Sequence, residues 1–119
     1  MPDLTESQVA ELVADLHALQ EALREQLATA REEARPVDLD LPIGRLSRMD
    51  AMQQQSMAVA NCRSLELRLQ QLAAALAAHD EGAYGICRSC EEPVGFPRLK
   101  ARPETPLCVA CQGVRERDE

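Results

Sequence analysis

The sequence has very few aromatic residues. Tyr84 and Phe96 are the only two among 119 residues, and tryptophan is absent. Alanine and leucine supply most of the apolar side chains, which is typical of helices packed along a seam rather than of a thick globular core. The composition therefore favours a mainly α fold with a narrow core.

Long hydrophobic runs are also absent. No segment approaches the ~18 consecutive apolar residues that suggest a membrane-spanning helix. The first residues, MPDLTE, are acidic and lack the basic and apolar regions of a signal peptide. We therefore expect a cytoplasmic protein with no membrane association.

Positive charge is scarce in the first third of the chain. The net charge is −7, and residues 1–40 account for all of it, with ten acidic residues and three arginines. An acidic surface repels phosphate backbones and favours a basic protein partner. A solvated helix face without any partner would explain the same charges. Either way, direct binding to nucleic acid is not expected.

The first 35 residues have the pattern of one amphipathic helix. Thr5 and Gln8 have the spacing of a capping box, which predicts a helix start near Thr5. Pro36 predicts its end, because proline cannot continue the hydrogen-bond ladder. Apolar residues recur between them at three- and four-residue steps. They are Val9, Leu12, Leu16, Leu19, Leu23, Leu27 and Ala30, with Val13 alongside.

Residues 36–46 contain two prolines and a glycine, which predicts a loop. A second helix is predicted to follow from Ser47 to His79. Gly82 is expected to end this helix. An earlier apolar stripe is shifted in register from the later seam, which predicts a local irregularity in supercoiling. The stripe is Met49, Met52, Ser56 and Val59, and the seam is Cys62, Leu65, Leu69, Leu72, Leu76 and His79.

Two helices of similar length joined by a short loop predict an antiparallel coiled-coil hairpin. The hairpin would occupy residues 1–82 with its tip loop at 36–46. Residues 83–119 would form a small cysteine-containing module with a short C-terminal helix at the open end of the hairpin. A hairpin that folds back on itself needs no second chain, so we expect a monomer.

Four of the five cysteines form two C-x2-C pairs, Cys87/Cys90 and Cys108/Cys111, with 17 residues between the pairs. This spacing belongs to the known C-x2-C-x15–20-C-x2-C zinc pattern. Four thiolates complete a tetrahedral site and leave no position for a catalytic water. We therefore predict one structural Zn²⁺, which folds a module with little apolar surface of its own.

Other interpretations of the cysteines are available. Two disulfides would need an oxidising compartment, and a C-x-x-C redox pair is conceivable. Cys62, the fifth cysteine, is expected to be a small buried residue on the seam, with a reactive thiol as the alternative. His79 is expected to lie at the end of the seam or to cap the C-terminus of the second helix, and His17 is expected on the helix surface.

Three segments of the C-terminal module resemble the DksA/TraR zinc-finger family. They are YGICRSC at residues 84–90, RLKARP at 98–103 and CVACQ at 108–112. The order and spacing of these segments match the family, and the helical hairpin before them agrees with the DksA architecture.

The resemblance implies a transcription regulator that binds RNA polymerase rather than DNA, with its hairpin in the polymerase's secondary channel. Several family members act together with the alarmone ppGpp. Arg98 and Arg102 match basic positions of the family, and Arg102 corresponds to an alarmone-contacting one. The lysines expected around Gln71 and Gln112 are missing, which argues against ppGpp binding. Alternatively, both arginines brace the zinc module against the helices.

The chain departs from the family at the hairpin tip. The family motif Asp-x-x-Asp-x-Ala falls on GRLSRM at residues 44–49, where neither acidic position is kept. Asp38, Asp40, Ser47 and Asp50 are therefore the candidate partner-binding residues of the tip. Alternatively, Asp38 and Asp40 are solubilising loop charges and Asp50 caps the second helix.

The leading hypothesis is thus a non-enzymatic, RNA-polymerase-binding regulator of the DksA/TraR type. The alternative is a protein-interaction adaptor that uses the same hairpin and zinc scaffold for another partner. Direct nucleic-acid binding through the zinc module is disfavoured by charge. The sequence shows no nucleophile with a partnered base, no phosphate-binding glycine loop and no open metal site, which argues against an enzyme.

Overall fold

The structure is a computed structural model that describes residues 4–35 and 45–118, with the side chains of 45–48 and 118 outside the description. The described residues form four helices: α1 (Glu6–Glu33), α2 (Arg45–Asp80), α3 (Phe96–Ala101) and α4 (Val109–Asp118). Within the described ranges, β pairing is limited to one antiparallel bridge between Ile86 and Pro93. The mainly α fold with a cysteine-rich module is therefore confirmed.

α1 begins with the predicted capping box. The backbone N–H of Gln8 donates to Thr5 Oγ1 over 3.1 Å, and the backbone N–H of Thr5 donates to Gln8 Oε1 over 3.0 Å. These reciprocal bonds satisfy backbone donors that the first helical turn leaves unpaired. The helix ends at Glu33. Pro36, its predicted terminator, lies outside the described residues.

α2 begins at Arg45, two residues earlier than predicted, and ends in a Schellman motif around Gly82. The N–H of Gly82 donates to the carbonyl of His79 and the N–H of Ala83 to that of Ala78. Gly82 has φ +76°, a left-handed conformation that glycine adopts without steric cost. The predicted glycine stop is confirmed.

The predicted shift of register in α2 is wrong. Of the predicted stripe, Met49, Met52 and Ser56 are exposed and only Val59 is partly buried. Ala58 is instead buried, and Ala51 and Gln55 are partly buried. With these residues the seam keeps strict three- and four-residue steps and needs no irregularity. It runs through Ala51, Gln55, Ala58, Cys62, Leu65, Leu69, Leu72, Leu76 and His79. The methionines were misleading because they are more apolar than the residues that occupy the seam here. The seam positions of this segment hold the short side chains of Ala51 and Ala58 and the polar side chain of Gln55.

The chain divides into two compact units. Unit 1 comprises Met1–Gln20 and Gln70–Glu119, and unit 2 comprises Glu21–Leu69. This division cuts across both long helices. The predicted boundary, a hairpin of residues 1–82 followed by a module of 83–119, remains a prediction.

Unit 2 is a pair of antiparallel helical segments. Gln55 Nε2 of α2 donates to the carbonyl of Ala34 over 3.3 Å, and Arg31 of α1 lies 3.6 Å from Glu66 of α2. Earlier residues of α2 therefore lie beside later residues of α1, as in an antiparallel pair. Among the side chains of this unit that the structure describes, the buried core is narrow and consists of Leu23, Leu27, Ala30, Ala58, Cys62 and Leu65.

Unit 1 combines the start of α1, the end of α2 and the cysteine module. Leu12, Leu16 and Leu72 are fully buried in it. Leu4 approaches Gly85 so closely that a Cβ on Gly85 would lie 2.9 Å from Leu4 Cδ1. Gly85 also has φ +92°, so a side chain there is excluded by both contact and backbone conformation. No helix in the described ranges is long and apolar enough to cross a membrane.

Candidate metal centre

The first cysteine pair lies on a tight turn closed by backbone hydrogen bonds. The N–H of Cys87 donates to the carbonyl of Glu92 over 2.9 Å, and the N–H of Glu91 donates to the carbonyl of Cys87 over 3.0 Å. Glu91 has φ +63°, the left-handed conformation that the reversal requires. This turn brings Cys87 and Cys90 to the same side of the loop.

The second cysteine pair lies at the start of α4. Cys108 immediately precedes the helix and Cys111 is in its first turn, and the N–H of Gln112 donates to the carbonyl of Cys108 over 2.9 Å. Residues three apart lie on the same face of a helical turn, so both thiols point one way. The N–H of Arg88 donates to the carbonyl of Pro106 over 2.9 Å, which ties the two pairs together.

The four cysteine sulfurs form one cluster. All of them lie within 4.8 Å of one another, and the Sγ atoms of Cys90 and Cys108 are 3.8 Å apart. A tetrahedral ion with Zn–S bonds of about 2.3 Å requires sulfurs about 3.8 Å apart. The cluster therefore fits zinc, and this module is a four-cysteine site for one structural zinc ion. The site is closed, because four thiolates occupy all four coordination positions.

The electrostatics of the cluster explain why it needs a cation. Burial disfavours the thiolate of Cys87, but hydrogen bonds from the backbone at Cys90, Cys108 and Ser89 outweigh that cost and lower its pKa to about 6. The pKa of Cys111 rises to about 12, first through its hydrogen bond with Cys108 and then through its other thiol neighbours. Without a positive ion the thiols cannot all ionise together, whereas zinc binds all four as thiolates.

A short helix, α3, lies between the two cysteine pairs in sequence and was not predicted. α3 follows Gly95, which has φ +101°, and carries Pro97 in its first turn, where the missing proline N–H costs nothing. Its Leu99 is fully buried. The Gly-Phe-Pro sequence was the available signal, but a six-residue helix is too short to show a period.

Arg98 and Arg102, the candidate basic residues, have different surroundings. Arg98 Nε donates to the carbonyl of Leu107 over 2.9 Å, and its Nη2 donates to Thr105 Oγ1 over 3.3 Å. Arg98 thus braces the zinc module internally rather than against the helices. The Arg102 side chain is more than half exposed, and its Nε lies 3.5 Å from Glu104 Oε2. A role for either residue in binding a partner stays a prediction.

Lys100 links the zinc module to α1, a contact that the sequence did not predict. Its Nζ lies 2.8 Å from Asp15 Oδ2 and 3.6 Å from Glu11 Oε1. These contacts raise the pKa of Lys100, chiefly through the hydrogen bond that it donates to Asp15. Two acidic side chains of α1, Glu11 and Asp15, are therefore paired with a lysine within unit 1.

Glu104 is the other residue that the sequence did not reveal. It is almost completely buried, next to the buried Thr105. Nearby, the Tyr84 hydroxyl donates to the carbonyl of Pro103 over 2.9 Å. Burial raises the pKa of Tyr84 to about 12, with further contributions from Asp15 and Glu104. Glutamate in a polar segment is usually exposed, so no pattern in the sequence pointed to its burial.

The tip candidates are only partly described. Asp38 and Asp40 lie outside the described residues, and Ser47 lies in α2 with its side chain outside the description. Asp50 is exposed and is the sixth residue of α2. The first turn of α2 holds no acidic residue, so the alternative in which Asp50 caps this helix is wrong.

The remaining candidates agree with the sequence analysis. Cys62 is buried on the seam of α2, as a small apolar residue would be. His79 is partly buried at the end of that seam, and His17 is exposed on α1. Within the described ranges, neither histidine belongs to the cluster that could hold a metal ion.

Comparison with known proteins agrees with this site. Residues 82–117 match the prokaryotic DksA/TraR C4-type zinc finger. The protein described as RNA polymerase-binding transcription factor DksA of Caulobacter vibrioides is 37% identical over 65 residues, covering 48% of this chain and 46% of the relative. The protein of the same description from Haemophilus influenzae is 36% identical over 61 residues, covering 44% and 42%. The matched part of the chain thus spans just under half the length of these relatives.

A solved structure shares the fold over nearly the whole chain. It is the transcription factor DksA2 from Pseudomonas aeruginosa, with a TM-score of 0.73 and 22% sequence identity. The match covers 99% of this chain and 92% of that one. At this identity the likeness shows the fold only, and it includes the helices outside the zinc finger.

Proposed function

Because the chain is a DksA-like protein with a DksA/TraR-type C4 zinc finger, we propose that it is a transcription regulator that binds RNA polymerase. The observation that carries this proposal is the combination of two independent likenesses. One is the sequence similarity over 65 residues to a protein described as RNA polymerase-binding, and the other is the fold. The regulator acts as a binding protein in the cytoplasm, as a monomer, and has no enzymatic activity.

The proposed mode of binding is insertion of the helical hairpin into the secondary channel of the polymerase. The zinc finger supports this role by fixing the start of α1 and the end of α2 in one unit, through contacts such as those of Lys100 with Asp15 and Glu11. A binding element on a braced scaffold loses less conformational entropy when it docks. The residues at the tip, Asp38, Asp40, Ser47 and Asp50, are its proposed contacts near the polymerase active site.

Competition binding tests this proposal. Zinc-loaded protein carrying a fluorescent label is titrated with bacterial core RNA polymerase, and a known secondary-channel factor is then added. We expect saturable binding and displacement by the competitor. Binding without displacement contradicts the channel, and no binding at micromolar concentrations contradicts the partner. In the second case, recovery of another protein from a native extract would support the adaptor alternative.

The role of the tip is tested with two matched substitutions. Asp50→Asn removes a charge near the start of α2, and Asp80→Asn removes the same charge at the last residue of the same helix. Neither aspartate is buried, so neither change should affect folding. We expect Asp50→Asn to weaken the protein's effect on transcription in vitro, and Asp80→Asn to leave that effect unchanged. Equal activity of both variants would exclude Asp50 from the tip contact.

We further propose that this regulator binds neither DNA nor ppGpp. Gln112 replaces one expected lysine, and its Nε2 donates to Glu116 Oε1 over 3.1 Å. Arg102 lies beside the carboxylate of Glu104. A phosphate-rich ligand would thus meet carboxylates where it needs cations. A gel-shift assay at low salt and isothermal titration with ppGpp test these statements, and saturable binding in either contradicts the corresponding one.

A further inference from the structure

The outer face of α2 in unit 2 carries most of the methionine in this protein. Met49, Met52 and Met57 are 63%, 52% and 68% exposed. Three exposed methionines within nine residues differ from the singly scattered apolar residues of ordinary surfaces. We call this surface the methionine face, and it consists of Met49, Met52, Gln53, Ser56, Met57 and Ala60, all exposed.

The methionine face lies directly opposite the seam of α2. With 3.6 residues per turn, Met52, Met49 and Met57 span an arc of roughly 140°. The buried residues Ala58 and Cys62 fall on the other side of the helix. The three methionines therefore do not help to hold α1 and α2 together, and their apolar surface is left for something else.

The methionine face is also free of charge. Residues 51–62 contain no acidic or basic residue, and Asp50 and Arg63 bracket this stretch. A solvent-exposed helix face is usually rich in charged residues. The outer face of α1 in the same unit shows this ordinary pattern, with Glu21, Glu25 and Glu32 exposed. A partner can cover the methionine face without burying an unpaired charge, which is a large cost on a charged face.

The size of the methionine face indicates what kind of partner covers it. An interface that holds two proteins together stably takes about 20–30 residues from each side. The methionine face offers six, so a second copy of this chain docked on it alone would have too little contact. The face suits a larger protein that also contacts other parts of the chain. Methionine is well adapted to such a contact, because its flexible side chain fills irregular apolar surfaces.

We propose that the methionine face docks on an uncharged, apolar surface of RNA polymerase. This inference rests on the proposed function and adds to it a contact surface beside the tip. The face supplies apolar binding energy, whereas the tip supplies polar groups. Because the contact is uncharged, its contribution should be the same at low and high salt.

The test uses the zinc-loaded chain of 119 residues with both Met52→Gln and Met57→Gln. Glutamine is similar to methionine in length and helix propensity, so α2 should be retained. We expect about tenfold weaker binding to core RNA polymerase, the loss typical when apolar anchors of an interface are removed. The loss should be equal at low and high salt. Circular dichroism and zinc content, unchanged from the wild type, confirm that the variant is folded.

Leu67→Gln is the matched control. Leu67 is 55% exposed and lies at the same angular position on α2 as Met49, but outside the uncharged stretch. We expect its binding to remain close to that of the wild type. The conservative pair Met52→Leu and Met57→Leu should also retain binding, because it preserves the apolar surface.

The outcomes separate this inference from the proposed function. If the wild type binds polymerase and the glutamine pair binds equally well, the methionine face is not a contact surface. If Leu67→Gln weakens binding as much as the pair does, the uncharged stretch has no special role, and the inference is wrong. If the wild type itself does not bind polymerase, the proposed function fails and the inference fails with it. Self-association of the wild type that the glutamine pair abolishes would identify a second copy as the occupant and overturn the inference.

Discussion

The two units of this chain contain helices of the same kind but are stabilised in different ways. Of the seven large side chains that are fully buried in the described residues, six lie in unit 1 and only Leu23 lies in unit 2. Unit 1 also contains the zinc cluster and the contacts of Lys100 with α1. Unit 2 depends on a narrow seam in which α2 contributes the small residues Ala58 and Cys62. Burial of less apolar surface gives less stabilisation, so unit 2 should open more readily.

Removal of zinc should reverse this order of stability. A chelator, or Cys87→Ser, removes a binding free energy of about 10–16 kcal/mol, which in a structural zinc module contributes directly to folding. We expect residues 83–118 to lose amide protection, together with the start of α1, while the seam of unit 2 keeps its protection. Hydrogen exchange measured by mass spectrometry with and without chelator follows both units at once.

Cys62→Ala is the control for this experiment, because Cys62 is the cysteine outside the cluster. It should retain one zinc per chain, whereas Cys87→Ser should not. Protection of residues 83–118 that persists without zinc would show that the module folds by its own packing. The greater stability expected of unit 1 would then not depend on zinc.

Strengthening the seam of unit 2 should reduce the difference between the units. Gln55 is partly buried at a seam position, and its side chain makes one long hydrogen bond of 3.3 Å to Ala34. Gln55→Leu should raise the free energy of unfolding by about 1 kcal/mol, because the added apolar burial exceeds the lost bond. Urea unfolding followed by circular dichroism measures the change.

Ser56→Leu distinguishes the observed seam from the shifted stripe that the sequence suggested. Ser56 belongs to that stripe but is exposed. The uninterrupted seam predicts no gain in stability from this substitution, whereas the shifted register predicts a gain. A larger gain from Ser56→Leu than from Gln55→Leu would contradict the packing of unit 2 described above.

The smallest expected effect concerns one hydrogen bond in unit 1. Tyr84→Phe removes the bond from the Tyr84 hydroxyl to the carbonyl of Pro103 and should cost about 1 kcal/mol near neutral pH. The pKa of Tyr84 is about 12 in the folded protein, against an ordinary value of 10.0. Between these values the unfolded chain has lost the phenolic proton and the folded chain still holds it. The free energy of unfolding therefore falls as pH rises through this window.

Tyr84→Phe lacks this titration, so its stability should fall less steeply with pH than that of the wild type. Urea unfolding of both proteins at neutral pH and inside the window gives the two slopes. Parallel slopes would mean that Tyr84 ionises as easily in the folded protein as in the unfolded chain.

The sequence predicted those features that have a local signature. Thr5 and Gln8 mark the start of α1, and Gly82 marks the end of α2, because caps are made by residues adjacent in sequence. The zinc cluster was also predictable, since the spacing within each cysteine pair is fixed by a single turn. The seam of α1 was found because Leu12, Leu16 and Leu23 repeat with the helical period.

Features that depend on distant residues could not be predicted. Ala58 is buried on the seam and Gln55 is partly buried there, with its side chain bonded to Ala34, 21 residues away in sequence. Met49 and Met52 looked like better candidates because their side chains are larger and more apolar. The burial of Glu104 likewise depends on how the zinc module closes. The role of Lys100 is set by two carboxylates of α1 that lie far away in sequence.

The contact between Lys100 and Asp15 also bears on how the protein is made. These residues are 85 positions apart, whereas Gln55 and Ala34, which meet in unit 2, are 21 apart. Contacts between distant residues tend to form late, because closing a longer loop costs more conformational entropy. On a ribosome, unit 2 can therefore assemble before synthesis of the four cysteines of the zinc cluster is complete. The acidic start of α1 must wait for Lys100, and the module that holds Lys100 must wait for its metal, so the supply of zinc sets when unit 1 can form.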